Sequence, residues 1–314
     1  MRGLGGMRDS ENSALIKLIT TPPSISPLAP RPRTRWHASR YAPLPPRPTG
    51  SEDERRERTE TTMNSIQLAG MSTTGRRETN QDAYFIDADM GLCVVCDGMG
   101  GYTGGEVASK TAVEVIRHFF AAKLSESDAM WPYPLRRELT LEENMVSVSV
   151  QLAHQAICAR RRGEISRMGT TVVVAACADE DIVLGHVGDS RIYRLRDGEL
   201  EQLTRDHSMY NELYDSGTCD LPPIEKFRYR HVLSRALGYS QEGPENPDIR
   251  RERMREGDTY LLCTDGLHDV LGASRIAYEL GTRAPAEACA TLIDMAYEAG
   301  STDNITAAVV RVSR

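Results

Sequence analysis

The chain has 314 residues with 45 acidic and 38 basic side chains, a formal net charge of -7. That length allows one large domain or two ordinary ones, and 40% hydrophobic with 26% charged residues is ordinary globular composition. The acidic balance argues against nucleic acid as a partner, no apolar run reaches the roughly 18 residues of a membrane span, and seven cysteines, odd in number and mostly inside apolar runs, read as buried thiols in a reducing, cytoplasmic compartment.

Residues 1–62 stand apart. They hold more than half of the 16 prolines and many arginines, and PPRPTGSEDERRERTETT has neither helical nor strand periodicity. Such composition predicts a disordered, dispensable extension, with Met63 as an alternative start. ALIKLI (14–19) is too short and too charged for a signal-peptide core. An Arg-rich transit peptide is the other reading, weakened by the acidic residues.

From Met63 the pattern becomes regular. IQLAGMS (66–72), AYFIDA (83–88) and GLCVVCD (91–97) read as strands, the third apolar enough to be buried on both faces. Residues 104–124 read as a helix, with Ala108, Ala112, Val115 and Phe119 on one stripe. A polar loop follows over about 125–138. Leu141, Met145, Val148, Leu152 and Ala156 then mark a second helix to about Arg162. GTTVVVAACA, DIVLGHVG, RIYRLRDG and ELEQLT form an antiparallel meander, with Asp197-Gly198 as a hairpin turn. Residues 206–247 read as irregular, with one helix around 207–216. DTYLLCTDG is a strand, helices follow over about 273–281 and 285–299, and NITAAVVRV closes the chain. Two groups of strands, each followed by helices, predict an α+β fold: a four-layer α-β-β-α sandwich of two antiparallel sheets flanked by helices. Cys93-x-x-Cys96 has no second pair at zinc-ligand spacing.

The apolar runs end in carboxylates. Asp97, Asp189 and Asp265 follow strands, while Asp82 and Asp303 precede them. One Asp-Gly after a strand is ordinarily a turn. Five aspartates meeting at one rim would repel by several kcal/mol in a partly dry site, and divalent cations would hold them together. An all-oxygen donor set suits Mg²⁺ or Mn²⁺ rather than zinc. In VVCDGMGGYTGG (94–105) five glycines follow Asp97, which lets backbone approach a metal or a substrate. No Lys-Ser/Thr follows them, so they are not a P-loop, and they miss the dinucleotide-binding spacing. DADM (87–90) reads as a turn.

With these motifs in order, residues 66–313 resemble the metal-dependent serine/threonine protein phosphatases of type 2C, in their bacterial form. The resemblance rests on RETNQDA, VVCDGMGGYTGGEVAS, GTTVVV, HVGDSRIY, LTRDHS, VLSRALG, LLCTDGL and TDNIT. It implies a catalytic domain over 63–314, with a substrate-selecting flap at about 209–235. It implies that Asp97 bridges two Mn²⁺ or Mg²⁺ ions, with the Gly98 carbonyl on one of them and Asp265 and Asp303 completing the other. Asp82 would act directly or through waters, and Asp189 would hold a third ion shared with Asp265. Arg77 would grip the substrate phosphate, which a metal-activated water attacks. Asn304 would orient Asp303. His186 reads as a satisfied core histidine, His207 as a packing residue near the flap, and Arg76 as solvated surface.

Three positions depart from the family pattern. Met99 and Tyr102 stand where relatives carry histidines, which leaves the leaving-group acid open between a water at the metals and Tyr102. Gln81 stands where Glu is common. The implied function is hydrolysis of phosphoserine and phosphothreonine on proteins by a monomeric enzyme that opposes a serine/threonine kinase. The alternatives are a phosphatase dedicated to one regulatory phosphoprotein and a catalytically inactive phosphoprotein-binding module. Retention of the aspartates and Arg77 speaks against the inactive module.

Overall fold

The computed structural model describes residues 65–125, 131–217, 220–239 and 245–313. Residues 1–62, read above as an extension, lie outside the described residues. Eleven strands form two antiparallel sheets. One sheet has the order β1-β11-β10-β7-β8, made of Ser65–Thr73, Ile305–Ser313, Thr259–Cys263, Arg191–Arg196 and Glu199–Gln202. The other has the order β2-β3-β5-β6-β9, made of Asp82–Asp87, Leu92–Met99, Val172–Ala178, Asp181–Val187 and Asp248–Arg253, and β4 (Gly169–Thr170) pairs with the end of β3. The helices are α1 (Gly101–Ser125), α2 (Leu141–Arg160), α3 (Met209–Ser216), α4 (Asp265–His268), α5 (Ala273–Thr282) and α6 (Pro285–Glu298).

Strand alternation sorts the apolar side chains into three layers of core. On β3, Leu92, Val94 and Cys96 face α1 and α2, whereas Cys93 and Val95 face the second sheet. Ile192, Tyr260, Leu262, Ala308 and Val310 meet them between the sheets. The opposite faces of those strands, through Leu261, Ala307 and Val309, pack on α5 and α6. Three cores separate four layers, as the sequence pattern predicted. The same alternation sends Cys93 and Cys96 to opposite faces of β3, so the C-x-x-C pair cannot share a ligand.

Local chemistry fixes the elements. Thr140 and Glu143 form a reciprocal capping box at the start of α2. Asp197 and Gly198 take positive φ (52° and 83°) in the β7–β8 hairpin. DADM is a turn as predicted, with the Met90 N–H donating to Asp87 Oδ1 at 2.9 Å.

One strand was not anticipated. Strand β9, DIRRER, lies just beyond the stretch read as irregular. It is an edge strand against β6, half-exposed along most of its length. Its arginines and glutamates pair with neighbours, Arg250 and Arg194 both reaching Glu252. A charged edge strand shows no apolar alternation, which is why the pattern concealed it.

Candidate metal centre

The antiparallel topology brings the ends of β3, β6 and β10 together with the starts of β2 and β11. In register, Asp82 pairs directly with Asp97. Asp97, Gly98, Asp189, Asp265 and Asp303 line one cleft of about 690 Å³, with Arg77 on its wall. Asp82 lies beneath it and is buried. All five aspartates singled out from the sequence therefore gather at one rim, bridging the two sheets.

Backbone geometry explains the local sequence. A Cβ on Gly98 would sit 2.1 Å from the Gly105 carbonyl oxygen and 2.5 Å from that of Gln81. The glycines after Asp97 thus let the first turns of α1 press against the end of β3. The GTT motif pins Asp97 from the other side. The Thr171 N–H and the Thr170 hydroxyl donate to the Asp97 carbonyl at 2.9 and 2.8 Å, and the Asp97 N–H donates to Thr171 Oγ1 at 2.9 Å.

Each carboxylate is held without a buried cation. Asp82 Oδ2 accepts from Thr306 at 2.6 Å and from Thr264 at 3.0 Å, while its Oδ1 is buried with no partner. Asp265 Oδ1 is likewise buried and unpartnered. Asp303 accepts from its neighbour's backbone, Asn304 N–H to Oδ1 at 2.8 Å, and from Arg77 Nη2 to Oδ2 at 2.7 Å. Arg77 Nε donates to the Thr302 carbonyl at 3.0 Å, and its side chain keeps 56% exposure.

Burial and mutual repulsion raise the carboxyl pKa values. Burial, countered in part by the two threonine bonds and reinforced by the charges of Asp265 and Asp303, lifts Asp82 from 3.8 to about 7. Burial, then Asp265 and Asp206, lifts Asp189 to about 8. Asp97 is pushed well above the carboxylate range by burial and then by Asp82, Asp265, Asp189 and Asp303. Asp265 is raised by burial and then by Asp303. The residues present fit divalent cations: buried oxygens without partners, no nitrogen or sulfur ligand, and a glycine cradle beside Asp97.

These shifts set a sign for pH. An acid whose pKa is raised by folding binds more protons folded than unfolded, so stability falls as pH climbs from about 4, through about 7 for Asp82 and about 8 for Asp189. Denaturant titration in EDTA is expected to show the protein losing several kcal/mol across that window, with Mn²⁺ restoring stability at the high-pH end. A flat profile in EDTA would contradict the clustering.

The threonines under Asp82 were not singled out from the sequence. Thr264 stands one residue before Asp265, in CTDG, and Thr306 three after Asp303, in DNIT, and that proximity was the available signal. His268 was also missed; its Nε2 lies 3.1 Å from the Asp189 carbonyl oxygen. The Asn304 side chain does less for Asp303 than expected. It knits the Arg77 loop instead, accepting from the Gln81 N–H at 2.8 Å and donating to the carbonyls of Thr74 and Thr79. Arg76 is exposed and lies 5.2 Å over the Tyr297 ring. Met99 lines the cleft, and the side chain of Tyr102 lies outside the described residues.

A second polar cluster, His186, His207 and Asp248, could bring three ligand atoms within 4.8 Å of one another. A cation already sits there: Arg235 Nη1 lies 2.7 Å from Asp248 Oδ1 and 3.0 Å from His207 Nε2. His186 is buried, bonds the Gly188 carbonyl at 2.8 Å and is held neutral, its pKa lowered to about 3 by burial and then by His207. Both histidines therefore pack and hydrogen-bond, as expected.

The family model described as Protein phosphatase 2C matches residues 69–287, and the chain belongs to that family. Similar curated proteins include the serine/threonine protein phosphatase PstP of Mycobacterium tuberculosis, 33% identical over 237 residues, 75% of this chain and 43% of that protein. Protein phosphatase PhpP of Streptococcus pneumoniae is 28% identical over 254 residues, 79% of this chain and 98% of that one. The chain thus spans less than half the length of PstP and nearly all of PhpP. Among solved structures, the catalytic domain of PstP in complex with two manganese ions superposes with a TM-score of 0.66 at 32% identity, covering 81% of this chain and 100% of that one. MsPP from Mycobacterium smegmatis, in complex with cacodylate, gives 0.65 at 30% identity, covering 79% and 98%. The two-sheet sandwich expected from the sequence is the fold of these phosphatases.

Proposed function

We propose that residues 63–314 are a Mn²⁺- or Mg²⁺-dependent protein phosphatase that hydrolyses phosphoserine and phosphothreonine. The observation that carries the reading is the carboxylate cluster, with Asp82 Oδ1 and Asp265 Oδ1 buried and lacking partners at a cleft that also presents Arg77. Asp97, the Gly98 carbonyl, Asp265 and Asp303 would hold two ions, as the manganese-bound PstP domain suggests, and Asp189 with Asp265 a third. Bound there, such ions lower the pKa of a coordinated water and neutralise charge on phosphoryl oxygens.

The remaining roles belong to the chain. Asp82 keeps one oxygen turned to its threonines and the other toward the cluster, supporting Asp97 from below. Arg77, held by Asp303 and the Thr302 carbonyl, presents its exposed guanidinium to the incoming phosphate, where a planar bidentate donor matches phosphoryl oxygens. Met99 cannot donate a proton, so the leaving alkoxide takes its proton from water or Tyr102. No described helix is long and apolar enough to cross a membrane. A monomer in the cytoplasm, acting on phosphoproteins opposite a serine/threonine kinase, is the setting this reading implies, with residues 209–235 as its flap.

The test is hydrolysis of a phosphothreonine peptide by the full chain in EDTA, Mg²⁺ or Mn²⁺. Phosphate release only with metal is expected. Folded protein that binds the peptide yet releases no phosphate with either ion would replace the enzyme by a phosphoprotein-binding module. Arg77→Ala is expected to raise KM for the peptide about tenfold or more, with calorimetry showing that Mn²⁺ still binds.

A further inference from the structure

The flap is divided by charge. Residues 209–225 carry Glu212, Asp215, Asp220 and Glu225 and no basic side chain, whereas residues 226–235, KFRYRHVLSR, carry Lys226, Arg228, Arg230, His231 and Arg235 and no acid. Lys226 and residues 228–232 are all exposed, and His231 and Val232 line the cleft. An exposed basic run therefore leads into the candidate metal centre.

The arginines of the sheets behave differently. Arg191, Arg194 and Arg196 are each tied to a carboxylate. Among the described residues no carboxylate pairs with Lys226, Arg228 or Arg230. Arg228 lies 5.5 Å over the Tyr229 ring, and Arg230 spends its donors on the Glu225 carbonyl and on His231. In a chain of net charge -7, such a stretch keeps a positive local field that attracts anions.

The run is also braced. The Met209 N–H donates to the Val232 carbonyl at 2.8 Å and the Ser234 N–H to the His207 carbonyl at 2.9 Å. Arg235 anchors the far root to Asp248 and Glu245. Tyr210, Phe227 and Tyr229 stack edge to face at 5.3 and 6.0 Å, which ties the basic half to α3. Within the run only His231 faces a carboxylate, Asp269 at 3.6 Å; fixed roots with Lys226, Arg228 and Arg230 exposed and without carboxylate partners make a docking surface, since little ordering is required on binding.

We infer that residues 226–232 dock the acidic segment flanking the phosphorylated residue, so that preferred substrates are phosphopeptides with carboxylates or a second phosphate within a few residues of the one removed. The inference rests on the phosphatase reading. Charge complementarity of this kind acts through encounter and KM, and it weakens with salt.

The test compares kcat/KM of the full chain with Mn²⁺ on two phosphothreonine peptides. One has three glutamates on either side of the phosphothreonine; in the other these are glutamines. p-Nitrophenyl phosphate serves as the small substrate that cannot reach the flap. The acidic peptide is expected to be favoured about tenfold at low salt, through KM, and much less at about 0.5 M salt. Lys226→Ala with Arg228→Ala is expected to erase the preference and spare hydrolysis of p-nitrophenyl phosphate, while Arg228→Lys keeps it. Equal kcat/KM for the two peptides, or a preference that survives the double variant, overturns this inference alone. Absence of hydrolysis of every substrate overturns it together with the phosphatase reading.

Discussion

Asp97→Asn is expected to abolish hydrolysis and, in EDTA, to raise the melting temperature. Asp97 is half-buried at the point where Asp82, Asp189, Asp265 and Asp303 all repel it. The asparagine amide keeps the shape, but it carries no charge for a cation to neutralise. Losing a bridging ligand should lower kcat/KM at least about 10³-fold, a barrier increase of about 4 kcal/mol. Without metal, the same substitution relieves like-charge repulsion in a desolvated site and should stabilise the fold by roughly 1 to 2 kcal/mol, a few degrees for a domain of this size. Calorimetry of wild type and variant, each with EDTA and with Mn²⁺, checks both halves. The variant should melt higher in EDTA and gain less from Mn²⁺. A variant less stable than wild type in EDTA would mean that the carboxylate is structural and that the cluster stores no repulsion.

What could be read in advance followed from periodicity and from strand ends. Strands buried on both faces, such as β3, announce themselves by composition, and aspartates that stop apolar runs announce a rim. That is why Asp97, Asp189, Asp265 and Asp303, far apart in the chain, were legible as one site. Strand β9 was not legible, because an edge strand built from Arg and Glu is stabilised by cross-strand ion pairs rather than by an apolar face. Residues that act through one hydrogen bond leave no periodic trace either. Thr264, just past β10, and Thr306, on the adjoining β11, both hold Asp82, and nothing in their spacing says that their hydroxyls converge. Asn304 shows the reverse error: adjacency to Asp303 suggested the partner, whereas its amide reaches the Arg77 loop, more than 220 residues away in sequence.

The glycines have a sharper consequence. Gly98→Ala is expected to cost about 3 kcal/mol or more and to lower Mn²⁺ affinity with it. The added Cβ would meet only backbone, the carbonyls of Gly105 and Gln81 at 2.1 and 2.5 Å, and backbone held in a helix and at a strand end cannot rotate aside as a side chain would. Relief requires α1 to withdraw from β3. Withdrawal moves the residue after Asp97, and with it the Gly98 carbonyl and the hold of Thr170 and Thr171 on the Asp97 backbone. Stability and metal binding should therefore fail together. Gly272→Ala is the control, because an added Cβ there meets nothing within 4 Å and the change at the start of α5 should cost at most about 1 kcal/mol. Denaturant midpoints and Mn²⁺ titration calorimetry on both variants separate the cases. If Gly98→Ala matched wild type in both measurements, the tight contact between helix and strand would not be what positions the bridging carboxylate.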